Sequence, residues 1–501
     1  MGRPVSRHGA SVHTAVLRGA EAVPVDVEVD LAGGIPGINI IGMADKAVLE
    51  ARSRVRCAFR ASGFSLPRMS VTVNLAPADV RKAGTGLDLP IAAAILAAAS
   101  QVPREGLDGY LLVGELGLTG EVSPVPGAIA FQKLAAEQGL VLAGAPGEAA
   151  RAPIGAPPVP VPCLSRLKQG MGALAEAAAG APVPDAVRPG PQEAVDFSDV
   201  VDQEAVKRAC VVAAAGGHGM LMVGPPGTGK TMVARRMATV LPPLEGEELI
   251  EAAVIHSAAG LDASGILAGE RPFRAPHHTV SCAGLVGGGR PVGPGEVSLA
   301  HCGVLFLDEL PEFAGNVLQT LRQPLEDKRV VLVRADGTYR FPADFQLVAA
   351  ANPCPCGHLG DRGRECTCSA AQVQRYQARV GGPLMDRIDI VCDVARPRPG
   401  SIIRGEEGMG SAEMRDQVLA AREFASWRRS QGVGDGPVSS LGLDEAASGR
   451  LDLLARTASL GGRAVTRIAR VARTVADIEE SRAVTARHVA EASLWRQREV
   501  A

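Results

Sequence analysis

The most constraining stretch of this chain is Gly224-Pro225-Pro226-Gly227-Thr228-Gly229-Lys230-Thr231. It follows the apolar run Met220–Val223 and opens a segment of helical period at Lys230. The octet matches G-x-x-x-x-G-K-[ST] in full, with the strand before and the helix after that the pattern needs. Its glycines let backbone N–H groups converge on phosphate oxygens, and the helix N-terminus adds partial positive charge. Lys230 is placed to reach the β- and γ-phosphates of ATP, and the Thr231 hydroxyl to hold Mg²⁺. An accidental Gly-rich turn is the competing reading, and the flanking pattern argues against it.

Further pieces follow at strand ends. Gly303-Val-Leu-Phe-Leu307 runs into Asp308-Glu309, one carboxylate for the Mg²⁺ shell and a second to activate water. Phe345–Ala351 ends in Asn352-Pro353, where an amide could position that water, although Asn-Pro is also an ordinary turn signal. Arg387 lies within Leu384-Met-Asp-Arg-Ile-Asp389 and by itself reads as a salt-bridged arginine. Arg463, Arg467, Arg470 and Arg473 share one helical face, by default a solvated basic stripe.

Strands alternating with helices imply an α/β fold with a parallel sheet. The expected division is an α/β domain over 1–180, the nucleotide-binding core over 195–400 and a helical lid over 401–501. Two proline-rich stretches, Pro153–Pro162 and Pro182–Pro191, read as linkers, and the main boundary is expected between Gly180 and Phe197. The longest apolar stretch, Leu89–Ala99, falls short of the roughly 20 residues a membrane helix needs. With no apolar leader, and ten cysteines reading as reduced thiols, a cytoplasmic protein without membrane contact is expected. Met1-Gly2 with Ser6 fits a myristoylation pattern that fixes too few positions to carry weight.

Cys354, Cys356, Cys366 and Cys368 fall in one Gly/Asp/Arg-rich loop. Four thiolates suit tetrahedral Zn²⁺, with buried free thiols or redox pairs as the alternatives. His277 and His278, as neighbours in extended chain, would point to opposite faces, so a shared ion is not expected. They belong to a segment, Asp262–Glu296, read as a Gly-rich insert carrying Arg271, Arg274 and Arg290. Arg329–Phe341 reads as a hairpin turning at Asp336-Gly337, with Arg334 and Arg340 near its tip. A net charge of −2 excludes a broad basic surface, and 3% aromatic residues leave few stacking platforms. Any contact with nucleic acid such as DNA would then be local and run through phosphates, with Arg334 and Arg340 first and Arg274 and Arg290 next.

The order of phosphate loop, Asp-Glu strand, Asn strand, Asp-Arg-Ile-Asp and helical lid resembles an AAA+ ATPase. More specifically, Phe273-Arg-Ala-Pro-His-His-Thr279, Gly287-Gly-Gly289, Pro294-Gly-Glu-Val-Ser-Leu-Ala-His301 and Gly303–Leu310 resemble the magnesium chelatase-like ATPases of the YifB/ComM type. The resemblance spans nearly the whole chain. It implies a nucleotide site formed by Gly224–Thr231 and Asp308, with Glu309, Asn352 as sensor 1, Arg387 as an arginine finger acting on a neighbour, and Arg463, or failing it Arg467, as sensor 2. A finger in trans implies a homo-hexameric ring. It also implies a DNA translocase or branch-migration helicase for single-stranded or branched DNA, in recombination or transformation. A chelatase motor subunit and a non-hydrolytic ATP-binding scaffold are the alternatives. The hairpin and the insert face the central pore in related ATPases. Residues 25–139 resemble the Lon-type (ribosomal S5-like) proteolytic fold, with Gly86 and Ile129 where the serine and lysine would stand, so no protease is expected. One departure is Asp202 before Gln203, where the family tends to carry Gly and where a turn near the adenine would change.

Overall fold

Alternate residues of the strand before the phosphate loop face two different apolar layers, which is how a parallel sheet buries both faces. In the computed structural model, which describes residues 9–145, 147–180, 195–361, 363–380, 382–403 and 408–496, this sheet has five strands. They are β1 (Met220–Val223), β2 (Phe273–Arg274), β3 (Val304–Leu307), β4 (Gln346–Ala351) and β5 (Ile390–Asp393), in the order β2-β3-β4-β1-β5. Every neighbouring pair is parallel. Met220, Met222, Val304, Phe306, Val348 and Ala350 point into a core shared with the C-terminal helices. Leu221, Val223, Leu305, Leu307, Leu347 and Ala349 point into a second core beneath the hairpin.

The segment read as an insert is more than that. It supplies β2, the edge strand of the sheet, before a short helix Cys282–Val286 and the small ladder Gly287-Gly288 with Gly293-Pro294. The hairpin pairs Arg329–Arg334 with Gly337–Pro342, so its two turn residues are Ala335 and Asp336.

The lid comprises Ser411–Ser430, Glu445–Thr457, Gly462–Ile478 and Ala486–Leu494. The basic stripe of its third helix is not solvated throughout. Arg467 and Arg473 are buried, the first against Asp386 and the second against Asp477, while Arg463 and Arg470 are exposed. Asp386 on a neighbouring segment and Asp477 one turn further along the same helix let two guanidinium groups of a surface-like pattern turn inward.

Residues 9–180 build a seven-stranded mixed sheet, in the order Gly37–Ile41, Ser70–Ala76, Glu21–Ala32, Gly9–Arg18, Tyr110–Val113, Val141–Gly144 and Val159–Pro160. Asp88–Ala98, apolar all round after its first residue, is buried over its whole length, with Asp88 paired to Arg54. The first proline-rich stretch is not a linker: Val159–Pro160 forms the edge strand beside Ala143-Gly144. Proline fits there because an edge position need not donate to the ladder. The second stretch, Pro182–Pro191, and the pattern at Gly2 and Ser6 lie outside the described residues.

The N-terminal unit docks on the core. Gly127 and Ile129 donate backbone N–H bonds to the carbonyl and hydroxyl of Ser257, at 2.8 and 3.3 Å. Ile129, which the Lon resemblance sets opposite a lysine, is buried with Leu249, Ala252 and Ala253 of the core. A Cβ at Gly86 would lie nearest to side-chain carbons of Val113 and Val125, at 3.4 and 3.5 Å. Among the described residues no helix is long and apolar enough to cross a membrane.

Candidate nucleotide site

The phosphate loop turns at the C-terminal edge of the sheet, and its geometry explains its glycines. Gly227 and Gly229 sit at φ +78° and +88°, and a Cβ on Gly224 would fall 2.3 Å from the Val394 carbonyl. Side chains are excluded there by conformation or by space. Thr228 Oγ1 donates to the Pro225 carbonyl at 3.0 Å, tying the loop closed. The helix Lys230–Val240 then starts with its N-terminus toward the loop.

Lys230 Nζ donates to the carbonyls of Gly224 (2.6 Å) and Pro225 (3.0 Å) and to Asn352 Oδ1 (3.2 Å). Burial pushes its pKa down, against the opposing pull of Asp308 and Glu309. A triphosphate supplies the anionic partner such an ammonium lacks. Thr231 Oγ1 donates to Asp308 Oδ2 at 2.7 Å, so the two oxygens that would hold Mg²⁺ are already adjacent. When bound, that ion offsets charge on the phosphate oxygens.

Glu309 follows in a left-handed conformation, φ +50° and ψ +46°, with its N–H bonded to Asp308 Oδ1 at 2.9 Å. That backbone is uncommon for a residue other than glycine, and the side chain is exposed. Glu309 Oε2 lies 3.8 Å from His278 Nδ1. The neighbouring His277 ring is 4.1 Å from that of His278, so the two imidazoles lie together rather than on opposite faces. The backbone after β2 is irregular there, and strand alternation does not apply. The resemblance had singled out Phe273–Thr279, but not the approach of His278 to Glu309.

Arg387 lies at the other edge. It immediately precedes β5, and β5 runs parallel to β1, with Ile390 opposite Met220. The Arg387 carbonyl abuts Gly219, before β1, whereas the phosphate loop leaves β1 after Val223. The length of the strand, roughly 13 Å at ~3.3 Å per residue, therefore separates this arginine from its own loop. Arg387 pairs with Glu326, and burial together with the guanidinium groups of Arg322, Arg463 and Arg467 lowers its pKa. Arg463 and Arg467 both donate to Asp386, at 3.1 and 3.0 Å. Burial raises the Asp386 pKa, but Arg467 and Arg463 together hold it below its ordinary value. Arg467 also donates to the Met385 carbonyl at 3.0 Å. The buried Arg467 fastens the lid, and the exposed Arg463 shares the edge of Arg387.

Asp202 adopts φ +59°, the conformation for which glycine is ordinarily used. Its carboxylate accepts from the Arg398 N–H at 2.8 Å and from Arg398 Nε at 3.0 Å, and this bonding holds its pKa well below the usual range. Aspartate is among the few residues that tolerate this region, so the turn survives the departure.

Of the arginines expected to meet DNA, Arg274 is already held by Glu296 through two bonds of 2.7 and 2.8 Å. Arg271 is likewise engaged, by the carbonyls of Pro242 and Cys302 and by Glu248. Both serve the fold of the edge strand. Arg290, Arg334 and Arg340 are exposed. Arg334 and Arg340 stand on opposite faces of the hairpin, since Arg340 lies opposite Val331 and Arg334 opposite Gly337. The Arg334 guanidinium lies beside Gly288 of the insert. The turn also meets the N-terminal unit, where Arg18 donates to the Asp336 carbonyl at 3.2 Å and covers the Tyr339 ring.

The four cysteines converge. Sγ–Sγ distances are 3.4 Å for Cys354–Cys356 and 3.6 Å for both Cys354–Cys366 and Cys356–Cys366, and all four Sγ atoms lie within 4.8 Å of one another. Tetrahedral Zn²⁺ with bonds of about 2.3 Å would set these edges near 3.8 Å.

Comparison with known proteins agrees with this geometry. Residues 196–402 match the family model "Magnesium chelatase, subunit ChlI", 27–145 match "Subunit ChlI of Mg-chelatase" and 408–496 match "Magnesium chelatase, subunit ChlI C-terminal". The chain is 40% identical to "Uncharacterized protein YifB" of Escherichia coli, covering 97% of this chain and 96% of that one. It is 38% identical to "Competence protein ComM" of Haemophilus influenzae, with 97% of each covered. A segment of 202 residues is 30% identical to "Lon protease 2" of Bacillus subtilis, over 35% of each chain. With its phosphate loop, its Asp-Glu strand end and these matches over nearly its full length, the chain belongs to the YifB/ComM family of magnesium chelatase-like AAA+ ATPases.

Proposed function

We propose that this protein is an ATP-hydrolysing ring motor that translocates on DNA or migrates branched junctions. The observation that carries the reading is the division of catalytic groups between two edges of one sheet. Lys230, Thr231, Asp308, Glu309 and Asn352 gather at one edge, and Arg387 and Arg463 at the other. Among the described residues, the phosphate loop and this arginine pair of one copy thus stand apart, so the loop calls for a neighbour's arginines and the arginines for a neighbour's loop. A closed ring, a hexamer in this reading, satisfies both. In it Glu309 takes the proton of the attacking water, Asn352 orients that water, and the neighbour's Arg387 and Arg463 meet the charge that develops on the phosphoryl group.

The DNA part rests on the likeness to a competence protein and on the exposed cations of the hairpin and insert. Arg340, Arg334 and Arg290 are the candidates, and Arg274 drops out because Glu296 holds it. Contacts to phosphate release counterions and are indifferent to sequence. Replacing Arg334 and Arg340 together by alanine is expected to weaken DNA binding alike on unrelated sequences and to lower the salt slope by about two. Titration of labelled DNA at several salt concentrations reads both quantities. Unchanged affinity and slope would remove the hairpin from the DNA path. Basal ATP turnover should persist, since neither side chain meets the nucleotide site.

The fit of the four thiols supports a bound Zn²⁺, held by Cys354, Cys356, Cys366 and Cys368. Such an ion would order an irregular loop that has little core of its own.

A further inference from the structure

The four-cysteine loop is part of the wall of the nucleotide site. Asn352, which accepts from Lys230, is separated from Cys354 by Pro353 alone. Cys354 is fully buried, and its sulfur also accepts from the Leu359 N–H at 3.3 Å. The Cys356 N–H points to Cys368 Sγ at 3.4 Å, joining the two ends of the loop. Gly357 comes next, at φ +82°, with its N–H bonded to the Cys354 carbonyl at 2.9 Å. A Cβ on Gly357 would lie 2.7 Å from Cδ of Pro226, inside the phosphate loop, and 3.9 Å from Cγ of Asn352. Gln377 ties the same turn down by donating to the Pro353 carbonyl at 3.1 Å.

These contacts converge. One side of the thiol cluster is continuous with the amide that meets Lys230, and the glycine beside it rests against the phosphate loop. Among the described residues of 354–368 there is no helix or strand, so whatever gathers the thiols also sets where Gly357 presses. We propose that the four-cysteine loop is a metal-held clamp on the nucleotide site, positioning Pro226 and Asn352 for ATP turnover through the approach of Gly357. The inference rests on the zinc reading for what holds the loop, and on the Gly357 contact for what the loop does. Cysteines 354, 356, 366 and 368 are positioning residues in this account and do not touch the reacting atoms.

Two variants of the full chain separate these parts. Gly357→Ala keeps every thiol but adds a methyl group against Pro226 in a left-handed backbone. Cys366→Ser removes one ligand far along the chain from Asn352. For both, zinc per chain is measured by elemental analysis, affinity by binding of a fluorescent ATP analogue, and kcat and KM on Mg²⁺-ATP. Gly357→Ala is expected to hold zinc at the wild-type level and yet lose roughly tenfold or more in kcat/KM, with weaker analogue binding. Cys366→Ser is expected to lose zinc and to show the same kinetic defect. Wild-type kinetics in Gly357→Ala overturn the coupling, and so do wild-type kinetics in a zinc-depleted Cys366→Ser. Wild-type protein that holds no zinc overturns the metal part alone, and Gly357→Ala then still decides whether the loop acts on the site.

Discussion

Replacing Glu309 by glutamine leaves ATP bound and all but stops its turnover. The substitution keeps the side-chain volume and the left-handed backbone of Glu309 while removing the only group at this strand end assigned to take a proton from water. General-base loss of this kind costs on the order of 10²–10⁴-fold in kcat. Affinity should hold, because the contacts set for phosphate and Mg²⁺ belong to Lys230, Thr231 and Asp308. Lys230→Ala should do the reverse, weakening nucleotide binding itself by deleting the ammonium that is buried against the loop carbonyls. A nucleotide-binding titration beside steady-state phosphate release tells the two apart. Phosphate release by Glu309→Gln at the wild-type rate would sink its assignment as the base.

Arg387→Ala is expected to lose on the order of 10³-fold in turnover with its own pocket intact, the scale of an arginine finger. Simple damage to the fold could imitate that loss, since Arg387 also pairs with Glu326. Mixing subunits resolves the matter. An Arg387→Ala chain keeps its phosphate loop, and a Lys230→Ala chain keeps its arginine. In rings formed from equal parts of both, about a quarter of interfaces should join an intact finger to an intact pocket. Neither variant alone has any such interface. Turnover well above the sum of the separate variants is the expected result, read by phosphate release after verified co-assembly. No recovery would leave Arg387 with a structural role, such as its pairing with Glu326.

The placement of candidate residues at strand ends is legible in the chain. The octet Gly224–Thr231, Asp308-Glu309 and Asn352 each follow a strand as expected, because an apolar run fixes where the chain emerges from the sheet. The hairpin was legible from the same alternation, and its turn fell one residue earlier than the Asp336-Gly337 pair implied. What stayed hidden depends on partners distant in sequence. Nothing local says that Glu296 holds Arg274, that Asp386 draws in Arg467, or that the ring of His278 approaches Glu309. The stretch Pro153–Pro162 misled for a related reason. Proline excludes an interior strand but permits an edge, and only the presence of Val141–Gly144 alongside decides between edge and linker. Asp202 was legible as a departure but not as a repair, since Arg398, its partner, is 196 residues away.

The proposed function couples ATP turnover by this chain to DNA. Its most direct test is phosphate release by the purified protein, alone and with single-stranded, duplex or four-way-junction DNA of equal length, while strand separation of the labelled junction is followed in the same reaction. Turnover is expected to rise with DNA, most with single-stranded or branched forms. Strand separation of the junction is expected to require ATP and to be abolished in Glu309→Gln. Turnover indifferent to every DNA, with the junction left intact, would contradict it.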